Sequence, residues 1–312
     1  MSSADRIVEA LREAIDGLEL DPQPERSTWS RRFTGRIGAT PVIAKIPLWR
    51  EAPTLEAALA AGPQADTQTE YEMLATIHEA VEAAADRTLT AARPVAYVRS
   101  VNAIVMERLD AVPLRTHLGH ASGPADADEV MVRVGRWIRM FGEATGARRG
   151  SFDAGRARDE LEQVAGRDRR AVDRLGVVAD RLHGVPAWEG VLHADFSSVN
   201  VLVTTDGRVA VIDPNQARGP VARDLGHLMA DLATNRGQLL ALGVRRSASR
   251  LDRWLSRLCE GHGDIDLGVA RFAYGRDLVM RLAGIDAPSA NPLRALLMRV
   301  VAGRRLRAIS GE

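Results

Sequence analysis

The order of its elements predicts an α+β protein of two lobes: a small sheet-plus-helix lobe, then a larger, mainly helical one. Three observations carry this reading. Strand and turn signals cluster before residue 108, helical periodicity dominates after it, and one strand-turn-strand segment at 199–213 interrupts the helices. The boundary falls near Glu107–Asp110, giving units of 1–108 and 109–312. A chain of 312 residues can bury a large core, and a cleft between lobes is a usual ligand site.

Residues 3–20 predict an amphipathic helix with Ile7, Val8, Leu11, Ile15 and Leu18 on one face. Asp21-Pro-Gln-Pro ends it. Strands over about 27–36 and 40–49 follow, joined by a turn at Gly35–Gly38, and the run from Pro47 to Pro63 reads as loop. A helix over 66–85 and strands over 92–98 and 103–108 complete the first lobe. The second lobe predicts helices over 127–145, 156–183 and most of the chain from Asp224, with 199–213 as its main strand content.

Composition narrows the function classes. Hydrophobic residues make up 46% and charged residues 27%, which is ordinary for a globular protein. No apolar run approaches the roughly 20 residues that span a bilayer, and the N-terminus lacks a basic-then-apolar export pattern. The single cysteine, Cys259, follows Leu255 and Leu258 in a helical pattern and reads as a buried thiol, so no disulfide framework exists. A cytoplasmic protein without membrane attachment is expected. A formal charge of +1 argues against nucleic-acid binding; the excess of fourteen arginines over eight acids from Leu228 to Glu312 has no aromatic interleaving for single strands.

The segment 191–213 concentrates the chemistry. Asp206-Gly207 between two apolar runs reads as a two-residue hairpin turn. That register sets Asn200 opposite Asp213, with Cβ atoms about 5 Å apart, close enough for both to grip one small cation. Asp195, five residues before Asn200, lies on the loop that feeds the hairpin, two residues after His193.

Lys45 is the only lysine among 42 basic residues. Arginine has replaced lysine everywhere else, and it cannot do so where a compact ammonium must approach an anion in a confined space. On the helix over 66–85, Glu70 shares the apolar face of Leu74, Ile77 and Val81. A carboxylate directed into packed surface needs a cation; Lys45 is the natural partner, and Arg93 the alternative.

Together these residues resemble the aminoglycoside phosphotransferase family, small-molecule kinases of protein-kinase-like fold. Lys45 on a strand, Glu70 on a helix, Met106-Glu-Arg-Leu, His193-Ala-Asp-Phe-Ser-Ser-Val-Asn200-Val-Leu and Ile212-Asp213 carry the likeness. The hairpin segment is most similar to hygromycin phosphotransferases, and the likeness covers about 27–230. It implies Asp195 as the base that accepts the acceptor hydroxyl proton, with His193 bracing its loop and Asp224 anchoring that loop from the next helix. It implies Asn200 and Asp213 as ligands of Mg2+ on the phosphates of ATP. Lys45, steadied by Glu70, would meet the phosphates, backbone groups of Met106, Glu107 and Arg108 would receive adenine, and Ser27 and Ser30 would cover the phosphates. Such an arrangement suits phosphoryl transfer, which consists mostly of positioning and charge neutralisation.

The sequence departs from the family pattern in three places. Ala194 stands where glycine is common, Pro214 follows Asp213, and the segment Ser27-Thr-Trp-Ser-Arg-Arg32 is not glycine-rich. Other readings compete. His193, Asp195 and Asp213 could form a transition-metal hydrolase site. Ser197 or Ser198 could act as a nucleophile with His193, although no nucleophile elbow surrounds them. Gly261-His-Gly263 lacks the context of a dinucleotide fingerprint. A non-catalytic nucleotide-binding module of kinase fold is the alternative from another class. The basic C-terminal region favours a neutral or anionic hydroxyl acceptor, although Asp264, Asp266 and Asp286 could still create an acidic pocket.

Overall fold

A computed structural model of the chain describes residues 2–27, 29–121, 123–164, 169–234, 246–285 and 292–311. The chain divides into two compact units, Met1–Ala111 and Val112–Glu312. Among the described residues no helix is long and apolar enough to cross a membrane.

In the first unit, helix α1 (Ser3–Ala14) starts at a capping box between Ser2 and Asp5 and buries Ile7, Val8 and Leu11. The predicted helix over 3–20 is too long. Gly17 turns the backbone at φ +70, and Leu18–Leu20 becomes strand β1, paired with the far end of β3 (Ser30–Ile37). Strand β2 (Glu25–Arg26) pairs with the near end of β3. The turn predicted at Gly35–Gly38 narrows to Gly38-Ala39, since Ile37 faces Thr40 at the start of β4 (Thr40–Pro47). The predicted loop at 47–63 contains a short helix, α2 (Leu55–Ala61), capped by Thr54. Helix α3 (Ala65–Ala83), β5 (Pro94–Val98) and β6 (Ala103–Glu107) complete an antiparallel sheet of order β1-β3-β4-β6-β5.

Strand alternation sorts side chains between the two faces of this sheet. Val42, Ala44 and Ile46 of β4 and Ala103 and Val105 of β6 join the core beneath α1 and α2. Ile104 and Met106 face the other way and pack with Leu74 of α3 and Ala92. Lys45, between Ala44 and Ile46, therefore emerges on the α3 side.

The second unit begins with β7 (Ala111–Pro113), α4 (Leu114–His120) and α5 (Pro124–Ala144). The single helix predicted over 156–183 is instead two, α6 (Ala154–Val164) and α7 (Arg169–Leu182), which pack together. The hairpin is β10 (Val201–Thr204) and β11 (Val209–Val211). A second small sheet, unforeseen in the sequence, joins β8 (Arg148–Ser151), β9 (Pro186–Leu192) and β12 (Ala217–Pro220). Helices α8 (Ala222–Thr234), α9 (Arg246–His262), α10 (Leu267–Ile285) and α11 (Pro292–Ser310) follow, with α9 packed on α5 and α10 on α8. Gly261 lies within α9, which removes the loop that a dinucleotide fingerprint requires. Cys259 is buried, and burial pushes its thiol up to about 12.

Candidate active site

The hairpin register differs from the sequence expectation. Val201 pairs with Val211 and Val203 with Val209, so Thr205-Asp206-Gly207 forms a three-residue loop. Gly207 sits at φ +81, the left-handed position that a turn-plus-bulge connection needs. The Arg208 amide donates to Thr204 Oγ1 at 2.9 Å and Arg133 of α5 donates to the Gly207 carbonyl at 2.5 Å, which fastens the tip. Asn200 consequently faces Ile212, whose amide donates to the Asn200 carbonyl at 3.0 Å. Asp213 lies one residue beyond, where φ of 60 turns the chain. The two residues are thus diagonal neighbours rather than a directly opposed pair.

The loop from His193 to Asn200 runs along α8, whose spacing of Asp224, His227 and Asp231 places all three on one helix face. Asp224 accepts the amides of His193 (2.8 Å) and Ala194 (3.1 Å). Asp231 accepts the amide (3.0 Å) and hydroxyl (2.5 Å) of Ser198. The loop is therefore held at both ends, two turns apart on one helix. Burial pushes the Asp224 carboxyl up to about 6, while its two amide donors pull it down.

His193 is fully buried beside Trp137 and Phe196. Its Nδ1 accepts the Asp195 amide at 3.3 Å, which leaves Nε2–H to donate to the Ile212 carbonyl at 3.0 Å. One ring thereby ties the Asp195 loop to the approach to Asp213. Both nitrogens are engaged, so His193 is not available as a transition-metal ligand. Ser198 points at Asp231, which removes it from a nucleophile pairing with His193.

Asp195 has half of its side chain exposed. Asn200 Nδ2 donates to its carbonyl (3.0 Å) and to its Oδ2 (2.9 Å). Desolvation raises the Asp195 pKa, His227 and Asn200 oppose the rise, and Asp213 and Asp231 add to it. With Nδ2 committed, the Asn200 side chain offers Oδ1. That oxygen is a hard donor of the type that suits Mg2+, an ion that keeps several waters and takes few protein ligands.

In the first unit, Lys45 Nζ lies 2.6 Å from Glu70 Oε1, while Arg93 pairs with Glu107 at 3.7 Å. The amides of Glu107 and Arg108 donate to the carbonyls of Arg93 (2.8 Å) and Pro41 (2.9 Å), and Met106 is buried. The amides of Glu107 and Arg108 are thus already committed within the lobe. Ser27 and Ser30 close a turn through the Ser27 amide and Ser30 carbonyl (3.1 Å), and Arg31 ties both carbonyls at 2.8 and 3.0 Å. Ser30 is buried and Trp29 is exposed; Thr28 lies outside the described residues.

A family model described as the phosphotransferase enzyme family matches residues 30–258. The chain belongs to that family. It is accordingly a small-molecule kinase, an ATP-dependent phosphotransferase with an alcohol group as acceptor. No curated protein sequence matches the chain. Among solved structures, the aminoglycoside phosphotransferase APH(4)-Ia superposes with TM-score 0.57 at 16% identity, covering 99% of each chain. Choline kinase LicA from Streptococcus pneumoniae gives TM-score 0.55 at 9% identity, covering 98% of this chain and 100% of its own. Spectinomycin phosphotransferase APH(9)-Ia, in complex with ADP and spectinomycin, gives 0.51 at 13% identity, covering 97% and 93%. These likenesses establish the two-lobed, protein-kinase-like α+β fold.

The structure of this phosphotransferase adds residues that the sequence reading passed over. His227 Nε2 lies 3.9 Å from Asp195 Oδ1, and its Nδ1 lies 3.3 Å from Asp277 Oδ1 on α10. Arg281 of the same helix reaches Asp231 at 3.4 Å and His227 at 3.5 Å. A Cβ on Gly226 would come within 2.5 Å of the Ala273 backbone, so glycine there permits the α8–α10 approach that assembles this group. The spacing Asp-x-x-His-x-x-x-Asp from Asp224 to Asp231 was the available signal. Asp264 pairs with Arg139 and Arg149, and Asp266 caps α10. Asp286 lies outside the described residues.

Proposed function

We propose that this phosphotransferase moves the γ-phosphoryl group of ATP to a hydroxyl of a neutral or anionic small molecule, with Asp195 as base and Mg2+ as cofactor. The observation that carries the reading is the Asp195–Asn200 contact. Asn200 occupies Oδ2 of Asp195, leaving Oδ1 to receive a hydroxyl proton. As the acceptor oxygen bonds to the γ-phosphorus, the bond to the β–γ bridging oxygen breaks. ADP leaves with that electron pair, and the hydroxyl proton passes to Asp195.

The other assignments follow from chemistry at each position. Asn200 Oδ1 and Asp213 would hold Mg2+, which neutralises phosphate charge when bound. Lys45, held 2.6 Å from Glu70, is proposed for the nucleotide phosphates. Carbonyls of Glu107 and Arg108, with neighbouring Met106, are proposed for the base, and the Ser27–Ser30 turn for the phosphate cover. His193 and Asp224 hold the loop geometry. Use of ATP accords with the cytoplasmic location expected from composition.

The charge balance around Asp195 supports the acceptor class. Asp231 is matched by Arg281, and Asp277 by Arg276. A polyamine acceptor would find little unmatched negative charge there. The test is Asp195→Asn in an acceptor screen that follows ATP consumption. Transfer should fall by about a thousandfold while thermal stabilisation by Mg·ATP persists. Near-wild-type transfer would sink the base assignment, and stabilisation of the wild-type chain without turnover on any alcohol would favour a binding module.

A further inference from the structure

We infer that His227 and Arg281 form the acceptor-recognising edge of the site, and that they select an alcohol carrying a second hydroxyl next to the one phosphorylated. The inference rests on the kinase reading above and adds the substrate class.

Asn200 covers Oδ2 of Asp195, so the reacting hydroxyl must donate to Oδ1, and His227 Nε2 lies 3.9 Å from Oδ1. Their separation of 3.9 Å is too long for a hydrogen bond. It does leave room for two adjacent hydroxyl groups, one donating to Asp195 and the other to His227.

The histidine is oriented for that task. Asp277, buried on α10, accepts Nδ1–H at 3.3 Å, which leaves the Nε2 lone pair facing the Asp195 side. Arg281 Nη2 donates to that lone pair over a long 3.5 Å, a contact that the second hydroxyl would replace by donating to Nε2 and accepting from Nη2.

Arg281 is also under-used. Its contacts to Asp231, Thr234 and His227 are 3.4, 3.4 and 3.5 Å, and among the described residues its buried Nε has no hydrogen-bond partner. A guanidinium offers five donors, and the contacts made by this one are all long. An incoming oxygen could accept from the Nη groups, which make only these long contacts, whereas an ammonium group would meet like charge. Sugars, polyols and hydroxy acids with vicinal hydroxyls fit this edge; amino alcohols do not.

The experiment uses the full chain with Mg·ATP and two sets of alcohols. One set is myo-inositol, D-ribose, D-glucose and glycerate; the other is choline and 3-amino-1-propanol. Turnover is expected with at least one vicinal diol. For that diol, His227→Phe and Arg281→Met should each raise KM by about tenfold or more, with a smaller change in kcat. His227→Gln, which keeps an acceptor oxygen, should recover most of the loss, and thermal midpoints report whether each variant is folded. Turnover confined to the amino alcohols overturns the inference, as does a folded His227→Phe enzyme with a diol KM within about twofold of wild type. A wild-type chain that neither binds Mg·ATP nor consumes it with any of these alcohols overturns the underlying kinase reading instead.

Discussion

Lys45 Nζ stands 2.6 Å from Glu70 Oε1, with only 11% and 13% of the two side chains exposed. An ion pair this enclosed is a poor source of net stability but is costly to break, because Lys45 loses its short carboxylate contact while its side chain stays largely buried. Glu70→Ala should therefore lower unfolding free energy by about 2–4 kcal/mol and raise KM for ATP, measured by urea titration and steady-state kinetics. Lys45→Arg should weaken ATP as well, since the planar guanidinium cannot replace a compact ammonium. Unchanged ATP kinetics in both variants would remove the pair from the nucleotide site.

Asp213→Ala should shift the Mg2+ dependence of nucleotide binding. The expected result is a loss of about tenfold or more in Mg·ATP affinity, while metal-free ATP binds both proteins alike. Calorimetry with and without Mg2+ separates the two. Equal losses in both conditions would point to a structural role for Asp213.

Asp224 gives a pH signature. Burial raises its folded pKa from 3.8 to about 6, so the folded state holds the proton more tightly than the unfolded chain. Its stabilising contribution is complete below the unfolded value and is lost as pH rises through about 6. The shift corresponds to about 3 kcal/mol. Asp224→Asn lacks this titration, so the stability of wild type relative to the variant should fall between pH 4 and 7. Denaturation curves at several pH values check it, and a pH-independent difference contradicts the assignment.

Ala194 adopts φ of 64, in the region that disfavours a Cβ. Among the described residues only three non-glycine residues have positive φ, and Ala194 and Asp213 are two of them. Strain is thus concentrated where the loop and hairpin meet. Ala194→Gly relieves about 1–2 kcal/mol in the folded state and increases unfolded-chain entropy by a smaller amount. Stability should stay level or rise by up to about 1 kcal/mol. A clear destabilisation would show that the methyl group packs usefully.

Much of the candidate site could be read from the chain because its signals are local. The singularity of Lys45 among the basic residues and the periodicity of the helix over 66–85 paired Lys45 with Glu70, and the family motif at 191–213 held Asp195, Asn200 and Asp213 within one short segment. The reading failed where a local rule admits two outcomes. Asp206-Gly207 serves a two-residue or a three-residue loop equally, and only the observed pairing shows Asn200 opposite Ile212. The helix expected over 3–20 ended early because Gly17 allowed Leu18–Leu20 to join a sheet edge that sequence periodicity does not report.

Backbone geometry sets the periods of strand and helix, so the sequence alone determined the two-lobed α+β class, the Lys45–Glu70 relation and the identity of the candidate catalytic loop. Tertiary packing decided which residues from distant elements meet. Asp224 and Asp231 hold that loop at both ends, and the close α8–α10 approach at Gly226 places His227, Asp277 and Arg281 beside Asp195. Those contacts join positions up to 54 residues apart, and no local period relates them.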